Sequence, residues 1–513
     1  MKKLLCIISF FSIWFCFWST IIKSINYKNR FEDRYTNSFH LQTPTKGLMN
    51  DIQGGFYRDG IWHLYILYNS KYSNNHFGMQ FDKYGTVLYH ITTQDWVNFN
   101  YIGVALNNNL TSYDDISSGT VYEDRNNYFG YGENTIIVMA SSFAKNEQNI
   151  LGYYSTDGGY NFLPIQQTPI ISVHQEVNGG DFRDPFFFVK DGKYIMYIAQ
   201  NEFFGVWVSD YPTEGYVKKG NYKASHPMLE CPNLYQLKVE GEETKKWVLL
   251  YGGNGGWGVD KDDLSSGTYY TIGEIDENFT FKKDVDQPIV RLDYGPDFYA
   301  ANYFKKSFSN TNLKELICGG WIGNWNYLNY QPNDGRVGNM SLARILKLRR
   351  KSSSSNKILA LDTDFIEKNA NIKSDDFINQ KEIIIKNAFE KFSINLNNLK
   401  NNSIVFEIGD NYYKIKINLD FEKKQAIINR SVEDYFVNKN EEFYKTRTFD
   451  VDYDVKNAKN FSIYLDKTIL ELEFPDGKKF TISKFKGTKS IEVLKVIFDK
   501  QSTGKYEYGN FIN

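Results

Sequence analysis

The sequence predicts an all-β protein, a five-bladed β-propeller followed by a C-terminal β-sandwich, from three observations. A short polar motif followed by a strongly apolar strand occurs five times before residue 350. Turn signals such as Arg58-Asp59-Gly60 and Lys190-Asp191-Gly192 are frequent there, and we find no convincing helical periodicity. Beyond residue 356, apolar and polar residues alternate, which is typical of strands with one buried face.

The five units begin about sixty residues apart on average, a spacing that fits four-stranded blades with long loops. Each unit combines a polar motif with the apolar strand that follows it: residues 50–54 with 61–68, 117–120 with 135–140, 180–185 with 194–199, 230–233 with 247–251, and 295–299 with 315–318. We therefore assign residues 36–350 to the propeller.

A Ser-rich segment, residues 352–356, interrupts this pattern and has the composition of a hinge or surface loop. The chain of 513 residues is too long for one ordinary domain, so a second domain is expected beyond this segment. Alternating strands at residues 403–408, 412–417 and 469–474 predict an antiparallel β-sandwich over residues 357–513. That region has no concentrated polar motif, which favours a supporting role.

The N-terminus predicts a targeting segment. Met1-Lys2-Lys3 precedes an uncharged stretch, residues 4–22, which is long for a cleaved signal peptide and just long enough to span a bilayer. We interpret residues 1–23 as a signal peptide or a membrane anchor through residues 4–22, and residues 24–35 as a tether. Either interpretation predicts export, with the protein secreted or held at the cell surface.

Composition excludes several classes of function. The 60 basic and 61 acidic residues give a net charge of −1, so no nucleic-acid partner is expected. Two of the four cysteines lie in the leader, and the six histidines show no metal-ligand spacing, so we predict neither a metal nor another cofactor. The aromatic share of 17% suits an all-β fold and would also suit carbohydrate binding.

Three acids stand in three different polar motifs: Asp51, Asp184 and Glu230. A propeller brings equivalent positions of its blades together around one channel, so we predict that these acids meet at one end, beside Arg183. Each acid alone would be interpreted as a solvated turn residue. Three of them in equivalent positions, together with an arginine, favour a functional site.

Two carboxyl groups facing one pocket suit the cleavage of a glycosidic bond, at a separation of about 5–5.5 Å in retaining enzymes and about 6.5–9.5 Å in inverting ones. Glu230 has apolar neighbours, which would raise its affinity for a proton and suit it to be the acid. Asp51 lies beside Asn50 and Gln53, whose hydrogen bonds would keep it ionised as the nucleophile.

Three motifs resemble those of glycoside hydrolase family 32, the β-fructosidases that include invertases, inulinases and levanases. Residues 49–54 resemble the family's nucleophile motif, 182–185 its Arg-Asp-Pro motif and 230–232 its Glu-Cys motif. Supporting matches are Ser118-Gly119, residues 293–300 and residues 320–325, with a weaker match at 469–474. The three motifs follow the family's order, and with the supporting matches they cover essentially the whole propeller.

The resemblance implies a retaining mechanism without a metal, acting on a fructan or sucrose substrate. Asp51 would be the nucleophile, Glu230 the general acid/base and Asp184 the stabiliser of the transition state. The residues that would bind substrate are Asn50, Gln53, Ser118, Arg183, Asp297 and Trp321. Trp321 is nearly as well explained as a buried blade tryptophan.

The chain departs from the family pattern at Leu48, Ile52-Gln53, Leu67 and residues 88–90. These replacements resemble a fructanase branch and favour levan or inulin over sucrose. A fructosyltransferase, a catalytically inactive fructan-binding surface protein and a propeller glycosidase acting on arabinans are the alternatives. The sequence leaves open the oligomeric state and the choice between endo and exo action.

Overall fold

The computed structural model of the chain describes residues 35–512, with gaps at 71–72, 76–77, 81–84, 114, 145–146, 177–179, 255–265, 307–311, 329–330, 353–356, 387, 397–401, 410–412, 433–440, 454–459 and 486–491. The predicted leader and all but the last residue of the predicted tether lie outside the described residues. Within the described part, no helix is long and apolar enough to cross a membrane.

Five antiparallel blades of four main strands each follow one another along the chain. Blade 1 comprises Gly47–Arg58, Ile61–Asn69, Thr86–Thr93 and Asn100–Leu106; blade 2, Ile116–Asp124, Thr135–Ser142, Asn149–Ser155 and Leu163–Pro164; blade 3, Arg183–Lys190, Lys193–Gln200, Phe203–Ser209 and Val217–Lys223; blade 4, Met228–Lys238, Lys245–Asn254, Ser266–Ile275 and Phe281–Lys283; and blade 5, Phe298–Phe304, Leu316–Ile322, Arg344–Ser352 and Lys357–Phe365. The short strands are Ser73–Asn75, Gly78–Gln80, Val290–Arg291, Arg336–Val337 and Asn339–Met340, and one 3-10 turn spans Val173–Gln175. The predicted five-bladed propeller is confirmed.

The first strand of each blade, called here the inner strand, contacts the inner strand of the next blade, and the last contacts the first. The five inner strands therefore enclose one channel. The predicted apolar strands are the second strands. In blade 1, Leu64 packs with residues of blade 5 and Tyr65 with residues of blade 2, and both are fully buried. Because both faces are covered, these strands are apolar at successive positions.

Every inner strand has a β-bulge near its N-terminal end. One extra residue lies between the paired positions Met49 and Ile52, Ile116 and Gly119, Arg183 and Phe186, Glu230 and Asn233, and Tyr299 and Asn302. A bulge bends its strand and re-aims the side chains beside it. In blades 3, 4 and 5 its first residue has a positive φ, at Asp184, Cys231 and Ala300. The five bulges thus mark one mouth of the channel, where the polar motifs meet.

The fifth blade extends beyond the predicted boundary at residue 350. Arg344–Ser352 pairs with Lys357–Phe365 along its whole length. The Ser-rich segment therefore joins two strands of one blade, and the prediction that it separates two domains is wrong. Its composition indicates a loop, but composition alone does not show whether a loop connects strands or domains.

The C-terminal domain is the predicted β-sandwich. Its strands are Ala370–Ile385, Lys391–Leu396, Ser403–Gly409, Tyr413–Asp420, Gln425–Val432, Arg447–Asp450, Asn460–Leu465, Ile469–Glu473, Lys479–Ser483 and Val493–Phe511, with a short helix at Glu441–Tyr444. The long last strand pairs with Ala370–Ile385, with Lys391–Leu396 and with Ser403–Gly409, so it connects the two halves of the domain. Phe392, Phe406 and Val496 lie in the shared core.

Two buried aspartates of the propeller, Asp293 and Asp297, bind strand Lys479–Ser483 of the sandwich. Asp293 accepts hydrogen bonds from Thr481 N at 3.0 Å and Thr481 Oγ1 at 2.8 Å. Asp297 accepts hydrogen bonds from Ser483 N and from Arg430 Nη1, both at 2.7 Å. We call this pair the aspartate clamp. Both carboxylates are buried, but Asp293 is neutralised by Arg344 of blade 5, whereas Asp297 takes its counter-charge from Arg430 of the sandwich.

Removing Arg430, which pairs with Asp297 of the aspartate clamp, is expected to destabilise the protein strongly. Arg430→Met leaves the carboxylate of Asp297 buried without its cation, which we expect to lower the free energy of unfolding by about 3–5 kcal/mol. Urea unfolding curves measure this change. The control is Arg350→Met, since Arg350 pairs with Glu242 at the surface and should contribute little. Equal stability of the two variants would contradict a structural role for the clamp.

Because the His226 ring is buried, we expect the free energy of unfolding to depend on pH. Its ring is buried against Tyr269, at 4.2 Å between centroids, and within the described residues neither ring nitrogen has a hydrogen-bond partner. Burial lowers the pKa of His226 to about 4. Between that value and about 6.5, the usual histidine pKa, the unfolded chain binds the proton more readily, so stability is lost as pH falls.

His226→Phe is therefore expected to be at least as stable as the wild type at pH 7. Its advantage should grow as pH falls to 5, since phenylalanine keeps the ring packing and cannot bind a proton. Urea unfolding at both values of pH tests this, with the exposed His174→Asn as the control. A constant difference between wild type and His226→Phe would rule out the proposed titration.

Candidate active site

The three acids that the sequence analysis singled out lie at the bulges of blades 1, 3 and 4. Glu230 immediately precedes its bulge, Asp184 is the first residue within its own, and Asp51 is the second. They occupy three successive positions, so the prediction that their positions are equivalent is wrong. Asp51 is 2% exposed and Asp184 5%, whereas the Glu230 side chain is 18% exposed. Of these three acids, Asp51 is thus the most deeply buried and Glu230 the most accessible.

Glu230 is held by side chains from three blades. Arg183 Nη2 of blade 3 donates to its Oε1 at 2.8 Å, and Arg183 Nε donates at 3.2 Å. Asn254 Nδ2 donates to the other oxygen, Oε2, at 2.6 Å. The hydroxyl of Tyr299, in blade 5, also donates to Oε2. Because both oxygens have partners, the carboxyl group has one defined orientation.

Asp184 is fixed by its neighbours in blades 2 and 4. Its backbone N–H donates to Ser141 Oγ at 2.8 Å, and its Oδ2 accepts from Cys231 N at 3.0 Å. Blades 3 and 4 therefore exchange contacts: Arg183 reaches Glu230 while Cys231 reaches back to Asp184. Burial raises the pKa of Asp184 to about 6, although the neighbouring Arg183 opposes this shift.

The carboxylate of Asp51 is contacted by a hydroxyl group from blade 2. Ser118 Oγ lies 3.3 Å from both carboxylate oxygens. Burial and, to a smaller extent, the negative charges of Asp184 and Glu230 raise the pKa of Asp51 to about 7. Three carboxyl groups that interact in this way cannot all ionise easily near neutral pH. The group therefore retains a proton under conditions in which isolated acids would have lost theirs.

The predicted surroundings of these acids are partly wrong. Asn50 does not donate to the carboxylate of Asp51, since its Oδ1 instead accepts the Asp51 backbone N–H at 3.0 Å. Gln53 makes no hydrogen bond to Asp51. The apolar residues beside Glu230 do not define its environment either, because its carboxyl group faces Arg183 and other polar groups of neighbouring blades. Sequence neighbours on a strand point to opposite faces, so they say little about one side chain's surroundings.

Three of the predicted substrate-binding residues are fully buried and present no surface to a ligand: Gln53, Asp297 and Trp321. Asp297 is part of the aspartate clamp. Trp321 donates its Nε1–H to the backbone oxygen of Met49 at 2.9 Å and so supports the bulge of blade 1. The remaining three, Asn50, Ser118 and Arg183, do lie in the cluster of acids.

Sequence reasoning missed Tyr299, Asn254 and Trp325. Tyr299 lies in the motif of residues 293–300, but from that motif the charged Asp297 was predicted to bind substrate instead. Asn254 ends the second strand of blade 4, so its pairing with the start of the inner strand could have indicated it. Trp325 is 39% exposed and packs on Trp321, at 4.9 Å between ring centroids, so it offers an aromatic surface near blade 1.

The arrangement suits proton transfer and nucleophilic attack by carboxyl groups. Within the described residues, no group of three or more His, Cys, Asp or Glu side chains is placed to hold a metal ion. A model of the glycosyl hydrolases family 32 N-terminal domain matches residues 40–360, more than half of the chain. The chain belongs to glycosyl hydrolase family 32.

Other members of family 32 resemble this chain over most of its length. The levanbiose-producing levanase of Bacillus subtilis strain 168 is 29% identical over 475 residues, which cover 88% of this chain and 86% of that protein. An invertase of Debaryomyces hansenii is 27% identical over 491 residues, covering 87% of each. As a member of family 32, the protein is a glycoside hydrolase.

Solved structures of family 32 share the fold. The β-fructofuranosidase from Schwanniomyces occidentalis, complexed with fructosyl-erythritol, has a TM-score of 0.77 and 23% identity, covering 93% of this chain and 98% of that one. The exo-inulinase from Aspergillus awamori has the same TM-score at 21% identity, with the same coverage of each chain. These likenesses support the architecture of a propeller joined to a sandwich.

In this family 32 enzyme, Tyr299→Phe is expected to lower kcat roughly tenfold, because Glu230 loses one of its donors. Steady-state rates measure this loss. Tyr303→Phe is the matched control: it lies on the same strand, and its buried hydroxyl has no hydrogen-bond partner within the described residues. An unchanged kcat in Tyr299→Phe would contradict this positioning role.

Proposed function

We propose that the protein cleaves β-fructofuranosyl linkages in fructans by a retaining double displacement. The observation that carries this proposal is the group of three acids at one mouth of a family 32 propeller, where Arg183 binds Glu230, Cys231 binds Asp184, and the charges of Asp184 and Glu230 act on Asp51. Asp51 acts as nucleophile, Glu230 as general acid/base and Asp184 as stabiliser of the transition state. Asn50, Ser118 and Arg183 contact the fructosyl unit or orient the acids.

In the first step, Asp51 attacks the anomeric carbon, C2 of fructose, while Glu230 gives a proton to the departing oxygen. The bond from C2 to the leaving oxygen breaks as the ester to Asp51 forms. In the second step, Glu230 takes a proton from water, which attacks C2 and releases Asp51. The difference in accessibility supports these roles, since the buried Asp51 meets the sugar and the exposed Glu230 meets the leaving group and water.

The hydroxyl group of Tyr299 can support Glu230 in both steps. A tyrosine hydroxyl can donate a hydrogen bond to the carboxylate form of Glu230 and accept one from its acid form. Arg183 supports the ionised form through two donors on one oxygen.

Fructans of the levan and inulin types are the proposed substrates, with sucrose as the remaining candidate. The relative from Bacillus subtilis is named a levanase, and relatives from Meyerozyma guilliermondii and Aspergillus ficuum are named extracellular exo-inulinases. An invertase of Debaryomyces hansenii is similarly close. Levan is the first substrate to test, because the levanase is 29% identical over 88% of the chain, slightly more than the invertase, at 27% over 87%.

The deciding experiment is a reducing-sugar assay on levan, inulin and sucrose, with chromatography of the products over time. Fructose or short fructo-oligosaccharides released from levan or inulin would support the proposal. Longer oligosaccharides accumulating at high sucrose would show transfer to another sugar in place of water. Binding of levan without any product, in a folded protein, would identify a fructan-binding protein and overturn the proposed hydrolysis.

We also propose that the protein is exported through residues 1–23. The charged start and uncharged stretch of this leader support export, as does the name of the exo-inulinase relatives. Fractionation of cells that express the full chain tests this, together with N-terminal sequencing of the recovered protein. Recovery of the full chain only from the cytoplasm would contradict it.

A further inference from the structure

A methionine sulfur lies among the groups that hold Glu230. Met228 Sδ accepts hydrogen bonds from Arg183 Nη2 at 3.2 Å and from Asn254 Nδ2 at 3.3 Å. The same two nitrogen atoms donate to the two carboxylate oxygens of Glu230, at 2.8 and 2.6 Å. The sulfur and the carboxylate therefore share both donors, so a change in the sulfur's strength as an acceptor acts on Glu230.

The pairing of two strands in blade 4 places these groups together. Met228 and Glu230 stand two residues apart on the inner strand, before its bulge, so their side chains lie on the same face. Asn254 is the partner of Met228 on the neighbouring strand. A thioether is a weak acceptor, so in the unmodified protein the carboxylate binds the shared donors more strongly.

Met228 is also more accessible than the other methionines whose side chains the structure describes. Its side chain is half-buried. The others are at most 2% exposed: Met49, Met139, Met196 and Met340. The side chain of Glu230 beside it is 18% exposed, so water and small solutes reach this part of the mouth.

The neighbouring cysteine is a poor target for an oxidant. Cys231 is buried, and burial together with the surrounding carboxylates raises the pKa of its thiol well above the ordinary value. Peroxides react with the thiolate form, so this thiol reacts slowly. A thioether reacts through a sulfur lone pair and needs no deprotonation, so Met228 is the more reactive sulfur at this mouth.

We propose that Met228 is a site of sulfoxidation, which slows the enzyme by drawing Arg183 and Asn254 away from Glu230. A sulfur lone pair attacks one oxygen of hydrogen peroxide and the O–O bond breaks. The departing hydroxide takes the proton from the sulfur-bound oxygen and leaves as water. The sulfur is oxidised by two electrons and the peroxide is reduced by two.

The new oxygen changes the competition for the shared donors. It lies along the direction of a sulfur lone pair, the side from which the two N–H groups approach, and it is a stronger acceptor than the thioether. Arg183 and Asn254 must shift towards it or be displaced by it, and either movement leaves Glu230 with weaker support. This inference rests on the proposed role of Glu230 as general acid/base.

Treatment of the full protein with hydrogen peroxide, followed by peptide mass spectrometry and rate measurements, tests the site. Met228 should gain one oxygen before the buried methionines do, and the rate on levan should fall roughly tenfold in parallel. The initial burst from a fructoside with an acidic phenol should slow less, since that leaving group needs little protonation. The two methionine sulfoxide reductases, supplied with a thiol, should remove the oxygen and restore the rate.

Variants of Met228 separate this modification from general damage. Met228→Leu conserves volume and cannot take up oxygen, so peroxide should leave its rate unchanged relative to its own untreated rate. Met228→Gln places an amide oxygen near the two donors and should resemble the oxidised enzyme without peroxide. The matched control is Met196→Leu, which changes a buried methionine of blade 3 and should lose rate on treatment like the wild type.

Equal losses of rate in the wild type and Met228→Leu, or a full rate in enzyme oxidised at Met228, would overturn the inference. Failure of the proposed function is distinguishable from this result. It would show as the absence of product before any peroxide is added, and it would overturn both.

Discussion

Asp51→Asn is expected to lower turnover on levan by roughly 10⁴-fold or more, as the loss of a catalytic nucleophile commonly does. The amide has nearly the shape of the carboxylate, so the contact with Ser118 can persist while the attacking charge is lost. Initial rates measure the effect, and mass spectrometry of rapidly quenched reactions measures the fructosyl-enzyme. We expect no covalent adduct on the variant.

The control for this substitution is Asp210→Asn, an exposed acid that pairs with Lys193 far from the channel mouth. It should retain wild-type rates. Asp51→Asn also removes a carboxyl group whose pKa is raised to about 7, so the folded variant should be no less stable than the wild type at pH 8. Near-normal turnover in folded Asp51→Asn would show that another residue is the nucleophile.

Glu230→Gln is expected to lower turnover on levan by about 10²- to 10⁴-fold, the usual contribution of a general acid or base. The loss should depend on the leaving group. A fructoside with an acidic phenol as its leaving group needs little protonation, so it should form the fructosyl-enzyme rapidly and then accumulate it. A burst of phenol followed by slow turnover is the expected observation.

Azide separates the two functions of Glu230. This anion attacks without needing a base, so it should restore the second step in Glu230→Ala and give a fructosyl azide of retained configuration. Glu274→Gln, which changes an exposed glutamate paired with Lys246, is the matched control and should behave like the wild type. Equal losses for phenolic and fructan leaving groups, with no effect of azide, would assign Glu230 a structural role.

The propeller could be predicted because its signal is repeated. Five polar motifs, each followed by an apolar strand, correspond to the first and second strands of the five blades. The three acids could be assigned to one mouth for the same reason, since each stands in a motif at the start of an inner strand. Repetition therefore indicates which end of the channel a residue occupies, even where no contact can be deduced.

The contacts within that mouth could not be predicted. One extra residue in each inner strand shifts the strand register at the bulge, and Asp51, Asp184 and Glu230 stand at three different positions relative to it. A bulge leaves little trace in sequence when its first residue, such as Asp184 or Cys231, is not glycine despite a positive φ. The partners of Glu230 come from other blades, and no local pattern connects Tyr299 with a glutamate 69 residues earlier.

Asp297 illustrates a second limit of prediction from sequence. A charged residue in a family motif suggests chemistry, yet this carboxylate is fully buried and satisfied by Arg430 and Ser483 of the sandwich. Sequence shows that the residue matters without showing whether it meets a ligand or another part of the chain. The Ser-rich segment shows the same limit, because its composition does not distinguish a linker between domains from a connection between two strands that pair with each other.

The aspartate clamp also limits how this protein can be recombined with others. Tyr299, which supports Glu230, lies only two residues from Asp297, so an exchanged sandwich would disturb the chemistry as well as the fold. A chimera that joins this propeller to a foreign C-terminal half must carry counterparts of Arg430, Thr481 and Ser483. Designs that choose their crossover point within the Ser-rich segment would instead divide the fifth blade between two parents.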